Sequence, residues 1–285
     1  MARITDTALK RIAGLDPFPL PKVIPTRYPV VLMHGFGLLA GLRRGGHLKT
    51  AAQRLRSRGV RAFAPNVAPY NTVAFRSRMW LSRIEQAMEQ ARTDRITLIA
   101  HSMGGLDARW LISQHGLGDR VAALVTVATP HRGSAVADYI ASSPERLGNW
   151  LTEVANWMGT TLIQDGEADF RTAIRELTPA NIVENFNPHV VDDPRVRYWS
   201  YAGVAGRGCD HSINPLLRPF NNYLYDREGR NDGLVSEESA RWAEFLGDIP
   251  ADHMQQIGGS FPGSSGFDHA EFYASVAMML ADSGF

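Results

Sequence analysis

The sequence predicts an α/β fold: a mostly parallel sheet covered by helices on both faces. Short continuous apolar runs, the mark of strands buried on both sides, alternate with longer stretches of helical periodicity. The chain has 285 residues, 44% hydrophobic and 21% charged. That size and balance suit one sizeable core without staples. A serine set between a buried strand and a helix locates the chemistry on this frame.

Taken in order, residues 17–25 are proline-rich and read as an extended arm. Pro29-Val30-Val31-Leu32-Met33 is the first buried strand. Apolar and basic residues at helical spacing over 47–57 predict a helix, stopped by Gly59. Residues 60–64 read as the next strand. Residues 76–92 form a long amphipathic pattern with Trp80, Ile84 and Met88 on one face. Ile96-Thr97-Leu98-Ile99-Ala100 is a buried strand, and the helix from Gly105 to Ile112 closes near Gly116. Residues 121–127 form another strand, followed by Thr129-Pro130-His131-Arg132-Gly133. Residues 197–204 form a later one. A helical segment precedes the loop Pro250-Ala251-Asp252-His253, and the last amphipathic helix runs over 270–281.

Residues 135–191 break the alternation. Leu147, Trp150, Leu151, Val154, Trp157 and Met158 recur at helical spacing and make one apolar face. Such a face is either packed core or a mobile cover over an apolar cleft. With no repeat, low-complexity tract or long linker, residues 1–285 read as a single domain with 135–191 as an insertion within it.

The formal net charge is +1 and the sequence pI about 8.0, so no strong field invites nucleic acid. Cys209 is the one cysteine, which excludes an intramolecular disulfide. Residues 1–25 lack the apolar core of a signal peptide, and no uncharged apolar run reaches membrane-spanning length. A cytoplasmic protein with no transmembrane segment is the expectation.

Ala100-His101-Ser102-Met103-Gly104 carries the strongest signal. Strand, small-residue turn, serine and helix are the parts of a nucleophile elbow, which holds the hydroxyl above the sheet edge. Ala100 stands where the commonest form has Gly. A serine hydroxyl needs a base, and the base needs a group to orient it. In this arrangement the acid and then the histidine follow the serine. Of nine histidines, only His253 and His269 lie late enough. His253 sits in a loop and is favoured, whereas His269 opens the last helix. Asp210, Asp226 and Asp232 are the candidate acids. The tight turn Asn231-Asp232-Gly233-Leu234-Val235 favours Asp232, with the others open. His34-Gly35-Phe36-Gly37 follows the first strand. The backbone N–H groups of Phe36 and Met103 are the candidate oxyanion donors.

Together these stretches resemble bacterial true lipases of the Pseudomonas–Burkholderia type, within the α/β-hydrolase superfamily. The resemblance runs from Tyr28 to Phe285. Its carriers are Val31-Leu32-Met33-His34-Gly35, the stretch 100–105, Ala128-Thr129-Pro130-His131-Arg132-Gly133-Ser134, the stretch 231–235 and Asp252-His253. It implies Ser102 as nucleophile, Asp232 as acid, His253 as base and a helical lid in the insertion. On this reading Trp150, Leu151, Val154, Trp157 and Met158 are lid or substrate-binding residues. The family also holds a structural calcium beside the histidine loop. An acidic ligand usually follows that histidine by two positions, where this chain has Gln255. Asp210 is the candidate for the other ligand, so half the expected charge is missing. No cofactor is otherwise required. The secreted members' foldase is not expected as a partner.

The expected activity is carboxylic ester hydrolysis, with acylglycerols at a lipid–water interface as substrates. The alternatives are a lidless esterase on shorter acyl chains, or a non-catalytic lipid- or partner-binding protein on the same scaffold.

Overall fold

The computed structural model describes residues 21–35, 48–68, 71–143, 145, 167–259, 261 and 266–285. Among these, six strands form one sheet: β1 Val30–Met33, β2 Ala62–Phe63, β3 Ile96–His101, β4 Val121–Val127, β5 Arg197–Gly203 and β6 Glu244–Ile249. Their order is β2-β1-β3-β4-β5-β6 and every pairing is parallel. The apolar runs are continuous where the sheet is covered on both sides. Every residue of β1, β3 and β4 is buried.

Helices cover both faces. On one lie α1, Lys49–Ser57, and the last helix, His269–Asp282, packed on Leu32, Ile99, Val125 and Trp199. On the other lie α2, Val73–Ala91, and α3, Met103–Gln114, packed on Val31, Met33, Leu98 and Leu124. Burying each large side chain of this kind contributes about 1.5–3 kcal/mol. Helix α2 begins earlier than its apolar period because Thr72 caps it, its hydroxyl accepting the Phe75 N–H at 3.2 Å. Gly59 follows α1 with φ +84° as the expected stop.

Two expectations change. The helical segment expected ahead of residue 250 is only the four-residue helix Glu237–Ala240, and the stretch between it and the loop is β6. As the edge strand it is half-exposed, so Glu244-Phe245-Leu246-Gly247-Asp248-Ile249 lacks the unbroken apolar run that marks the central strands. The strand expected over 60–64 shrinks to Ala62–Phe63 at the opposite edge. Within the insertion, the described parts are helical: Ala135–Ala141, Glu167–Glu176, Pro179–Asn181, a π-helical turn Ile182–Phe186, and Asn187–His189.

Candidate active site

The site lies at the carboxyl ends of the central strands. Strand β3 ends at His101, α3 starts at Met103, and Ser102 alone makes the turn, at φ 57° and ψ −136°. A non-glycine residue held there costs about 1–3 kcal/mol, a cost typical of a functional turn. Its neighbours lock it. The Ser102 N–H donates to the Val127 carbonyl at 2.8 Å, and the Thr129 hydroxyl donates to the Ser102 carbonyl at 2.8 Å. The glycines are needed for space. A Cβ on Gly104 would lie 2.9 Å from two backbone carbonyl oxygens, those of Met33 and His34. One on Gly105 would lie 2.1 Å from Thr129 Oγ1, and one on Gly35 2.6 Å from Ser102 Cβ. Ala100, by contrast, is an ordinary buried position in β3, so a methyl is tolerated where a Gly is commoner.

Ser102, His253 and Asp232 come together across 151 residues. Ser102 Oγ lies 2.8 Å from His253 Nε2, and His253 Nδ1 lies 2.7 Å from Asp232 Oδ2. An ionised carboxylate only accepts, so Nδ1 carries the proton, and in the neutral ring Nε2 is free to accept from the serine. Asp232 is fully buried, and its other oxygen accepts from the backbone N–H groups of Leu234 at 3.0 Å and Val235 at 2.8 Å. The turn that permits this runs through Gly233 at φ +97°. It is fixed by the Asn231 side-chain oxygen Oδ1, which accepts from Gly233 N–H and from Asn221 Nδ2. The histidine loop is fastened twice. His253 N–H donates to the Asp232 carbonyl, and the Asp252 carboxylate accepts from Asn214, Met254 and Gln255 N–H. Burial pushes the Asp252 carboxyl above the usual carboxylate range, against the pull of those three donors.

Two polar residues that sequence reasoning missed complete the surroundings. Gln256 Nε2 donates to Asp232 Oδ2 at 3.0 Å, and Gln256 Oε1 lies 3.2 Å from His101 Nε2. The His101 ring lies against that of His253, with centroids 4.6 Å apart. The sequence carries only a faint signal for them, a glutamine three residues past the favoured histidine.

Of the expected oxyanion donors, Met103 is the first residue of α3, so its N–H has no intrahelical acceptor. Phe36 lies outside the described residues. The backbone leading to it is held by a fully buried ion pair. Arg76 bonds Asp107 at 2.8 and 2.9 Å, and donates to the carbonyls of His34 at 2.9 Å and Gly35 at 3.1 Å. Trp80 Nε1 also donates to Asp107, at 3.0 Å. Burial raises the Asp107 carboxyl, and Arg76 opposes the rise.

The other candidates sit elsewhere. Asp226 pairs with Arg207 at the surface, and Asp210 is exposed. His269 heads the last helix, packed near Gly258. Trp150, Leu151, Val154, Trp157 and Met158 lie outside the described residues. The implied calcium does not fit the donors present. Gln255 brings a neutral amide where a carboxylate is expected, and its Oε1 accepts from the Asp252 N–H at 2.9 Å. Among the described residues no three His, Cys, Asp or Glu side chains cluster to hold a metal ion.

Known proteins resemble this chain in sequence and in fold. A family model described as palmitoyl protein thioesterase matches residues 29–179, more than half of the chain. A triacylglycerol lipase of Vibrio cholerae is 32% identical over 292 residues, spanning 91% of this chain and 89% of that lipase. The chain belongs to the family of that model, among the α/β-hydrolase lipases and esterases. The hydrolase is also 28% identical to a triacylglycerol lipase of Pseudomonas fragi, covering 92% of this chain and 98% of that one. Its fold matches that of a Bacillus licheniformis lipase with a TM-score of 0.65 at 23% identity, over 93% of this chain and 96% of the other. The hydrolase acts on carboxylic esters. Among the described residues, no helix is long and apolar enough to cross a membrane.

Proposed function

We propose that the hydrolase cleaves acylglycerol esters through an acyl-enzyme on Ser102, with His253 as base and Asp232 orienting it. The observation that carries this reading is the unbroken chain from Ser102 Oγ through both His253 nitrogens to Asp232, at 2.8 and 2.7 Å. Ser102 Oγ attacks the ester carbonyl as its proton passes to His253 Nε2. The tetrahedral oxyanion is held by the N–H groups of Met103 and Phe36, each worth about 3 kcal/mol of barrier by analogy with side-chain donors. The carbon–oxygen bond to the alcohol then breaks, and His253 returns the proton to the leaving oxygen. Water, deprotonated by the same ring, attacks the acyl carbonyl and releases the fatty acid and free Ser102. Asp232 stays ionised throughout and stabilises the imidazolium.

Relatives named triacylglycerol lipase support acylglycerols as the substrate class. Within the lipases, the ordered motifs at 31–35, 100–105, 128–134, 231–235 and 252–253 support the Pseudomonas–Burkholderia type. Gln255 departs from it, and no step is routed through calcium. The name of the matching family model favours palmitoyl thioesters as a second substrate class, opened by the same steps with a thiol leaving. A serine-directed fluorophosphonate probe tests the reading. Labelling should be confined to Ser102 and vanish in Ser102→Ala. Labelling at another serine, or none on the folded protein, would refute it.

A further inference from the structure

The oxygen of Asp232 that receives His253 has a second donor, and that donor is built in. Gln256 is fully buried. Its Nε2 lies 3.0 Å from Asp232 Oδ2 and 3.3 Å from the Ala251 carbonyl. Both partners only accept, so the nitrogen side of the amide faces them and the oxygen side faces His101. His101 Nε2, at 3.2 Å from that oxygen, is therefore a donor. Room for the amide is made by Gly203 at the end of β5. A Cβ there would lie 1.9 Å from Gln256 Nε2. Gly203 lacks a positive φ, so space and not backbone conformation calls for glycine.

We propose that Gln256 is a positioning residue of the reaction: it shares Asp232 Oδ2 with His253 and holds His101, whose ring lies tilted against the base. The proposal rests on the reading of Ser102, His253 and Asp232 as the reacting set. The titratable groups facing His253 are Asp232 from the turn after the helix Arg218–Glu228, and His101 from the end of β3. Asp252 is beside it on its own loop, turned to the N–H groups of Asn214, Met254 and Gln255. With Gln256 in place, the carboxylate divides its accepting capacity between two donors. Without it, the whole of that capacity goes to the His253 N–H, which favours the imidazolium over the neutral ring. The ring then stays protonated, and unable to act as base, to a higher pH.

The test is the pH profile of kcat/KM on a soluble ester, with fluorophosphonate labelling and thermal unfolding of the same samples. In Gln256→Met the acid limb should move to higher pH by about one unit. Its kcat should fall roughly ten- to a hundredfold with KM little changed. Gln256→Glu keeps the shape should the first variant not fold. It sets a carboxyl against Asp232, and two buried carboxyls that close share one proton, so the acid limb gains a second, coupled step. An acid limb that stays in place or moves to lower pH in the folded variants, with only the melting temperature reduced, would make Gln256 a structural filler and overturn the proposal. Absence of Ser102 labelling in the unsubstituted enzyme would instead refute the reading beneath it.

Discussion

His253 and His131 are both buried histidines whose Nε2 meets a side-chain hydroxyl, and they differ in what stands behind the ring. His253 Nε2 lies 2.8 Å from Ser102 Oγ, and its Nδ1 lies 2.7 Å from the Asp232 carboxylate. His131 Nε2 lies 3.0 Å from Thr126 Oγ1, but its Nδ1 lies 3.5 Å from the Arg109 guanidinium. Thr126 commits its proton to the Trp199 carbonyl at 3.2 Å, so it accepts from His131. The His131 ring also stacks on Trp242, and Arg109 lies over that indole at 3.9 Å. A hydroxyl partner alone does not make a base. A carboxylate behind the ring stabilises the imidazolium that forms when the proton arrives, and a cation there opposes it.

The same cluster shows what His131 does instead. Asn187 Nδ2 donates to its carbonyl at 2.9 Å. Arg109 donates to Asn187 Oδ1 at 2.9 Å and to the Val190 carbonyl at 3.0 Å. Asp192 accepts from Arg109 and from Trp242 Nε1. These bonds fasten the end of the insertion to the sheet, a structural task for which a neutral ring suffices.

The sharpest contrast should appear on substitution. His253→Ala should lower kcat on a soluble ester by roughly 10⁴-fold or more while leaving the urea midpoint nearly unchanged. His131→Asn should do the reverse, keeping kcat near the unsubstituted value while losing about 1–3 kcal/mol of stability from partners left unmatched. Equal losses of activity in the two variants would erase the distinction drawn from Asp232 and Arg109.

A smaller effect lies in pH. Burial, then Arg109 and Arg132, hold the His131 ring well below the ordinary histidine value. In the unfolded chain the ring titrates near its ordinary value of about 6.5. As pH falls below that value the unfolded state takes up a proton that the folded state refuses. The stability contribution is therefore fully present above about pH 6.5 and declines at about 1.4 kcal/mol per pH unit as pH falls below it. His131→Asn removes the titrating group, so urea unfolding between pH 6.5 and 5 should show a shallower slope than the unsubstituted enzyme. Identical slopes would mean that the folded protein takes up a proton at His131 as readily as the unfolded chain does.

The contrast also marks what was legible in the sequence. The fold class was readable because β1, β3 and β4 are buried on both faces and so spell unbroken apolar runs. Strand β6 was not, because an edge strand mixes Glu244 and Asp248 with Phe245 and Leu246. Ser102 was readable from local order, strand then serine then helix. Asp232 and His253 were narrowed by chain order, by the turn 231–235 and the loop 250–253, and then by the family resemblance. Nothing local distinguishes His131 or His101 from a base, nor announces Gln256. Their roles come from partners 22, 155 and 24 residues away, brought near only by the folded sheet. The residues in 36–47 and 144–166 that carry the expected donor Phe36 and the expected lid face remain readings of the sequence.

The most direct test of the central claim is the mass of the enzyme during turnover. Mixing it with excess of a chromogenic long-chain ester and quenching in acid within the first turnover should trap one acyl group, located by peptide mapping on Ser102. Release of the alcohol should show a burst matching that adduct, and Ser102→Ala should give neither. Steady hydrolysis with no acyl adduct, or an adduct that persists in Ser102→Ala, would contradict an acyl-enzyme at Ser102.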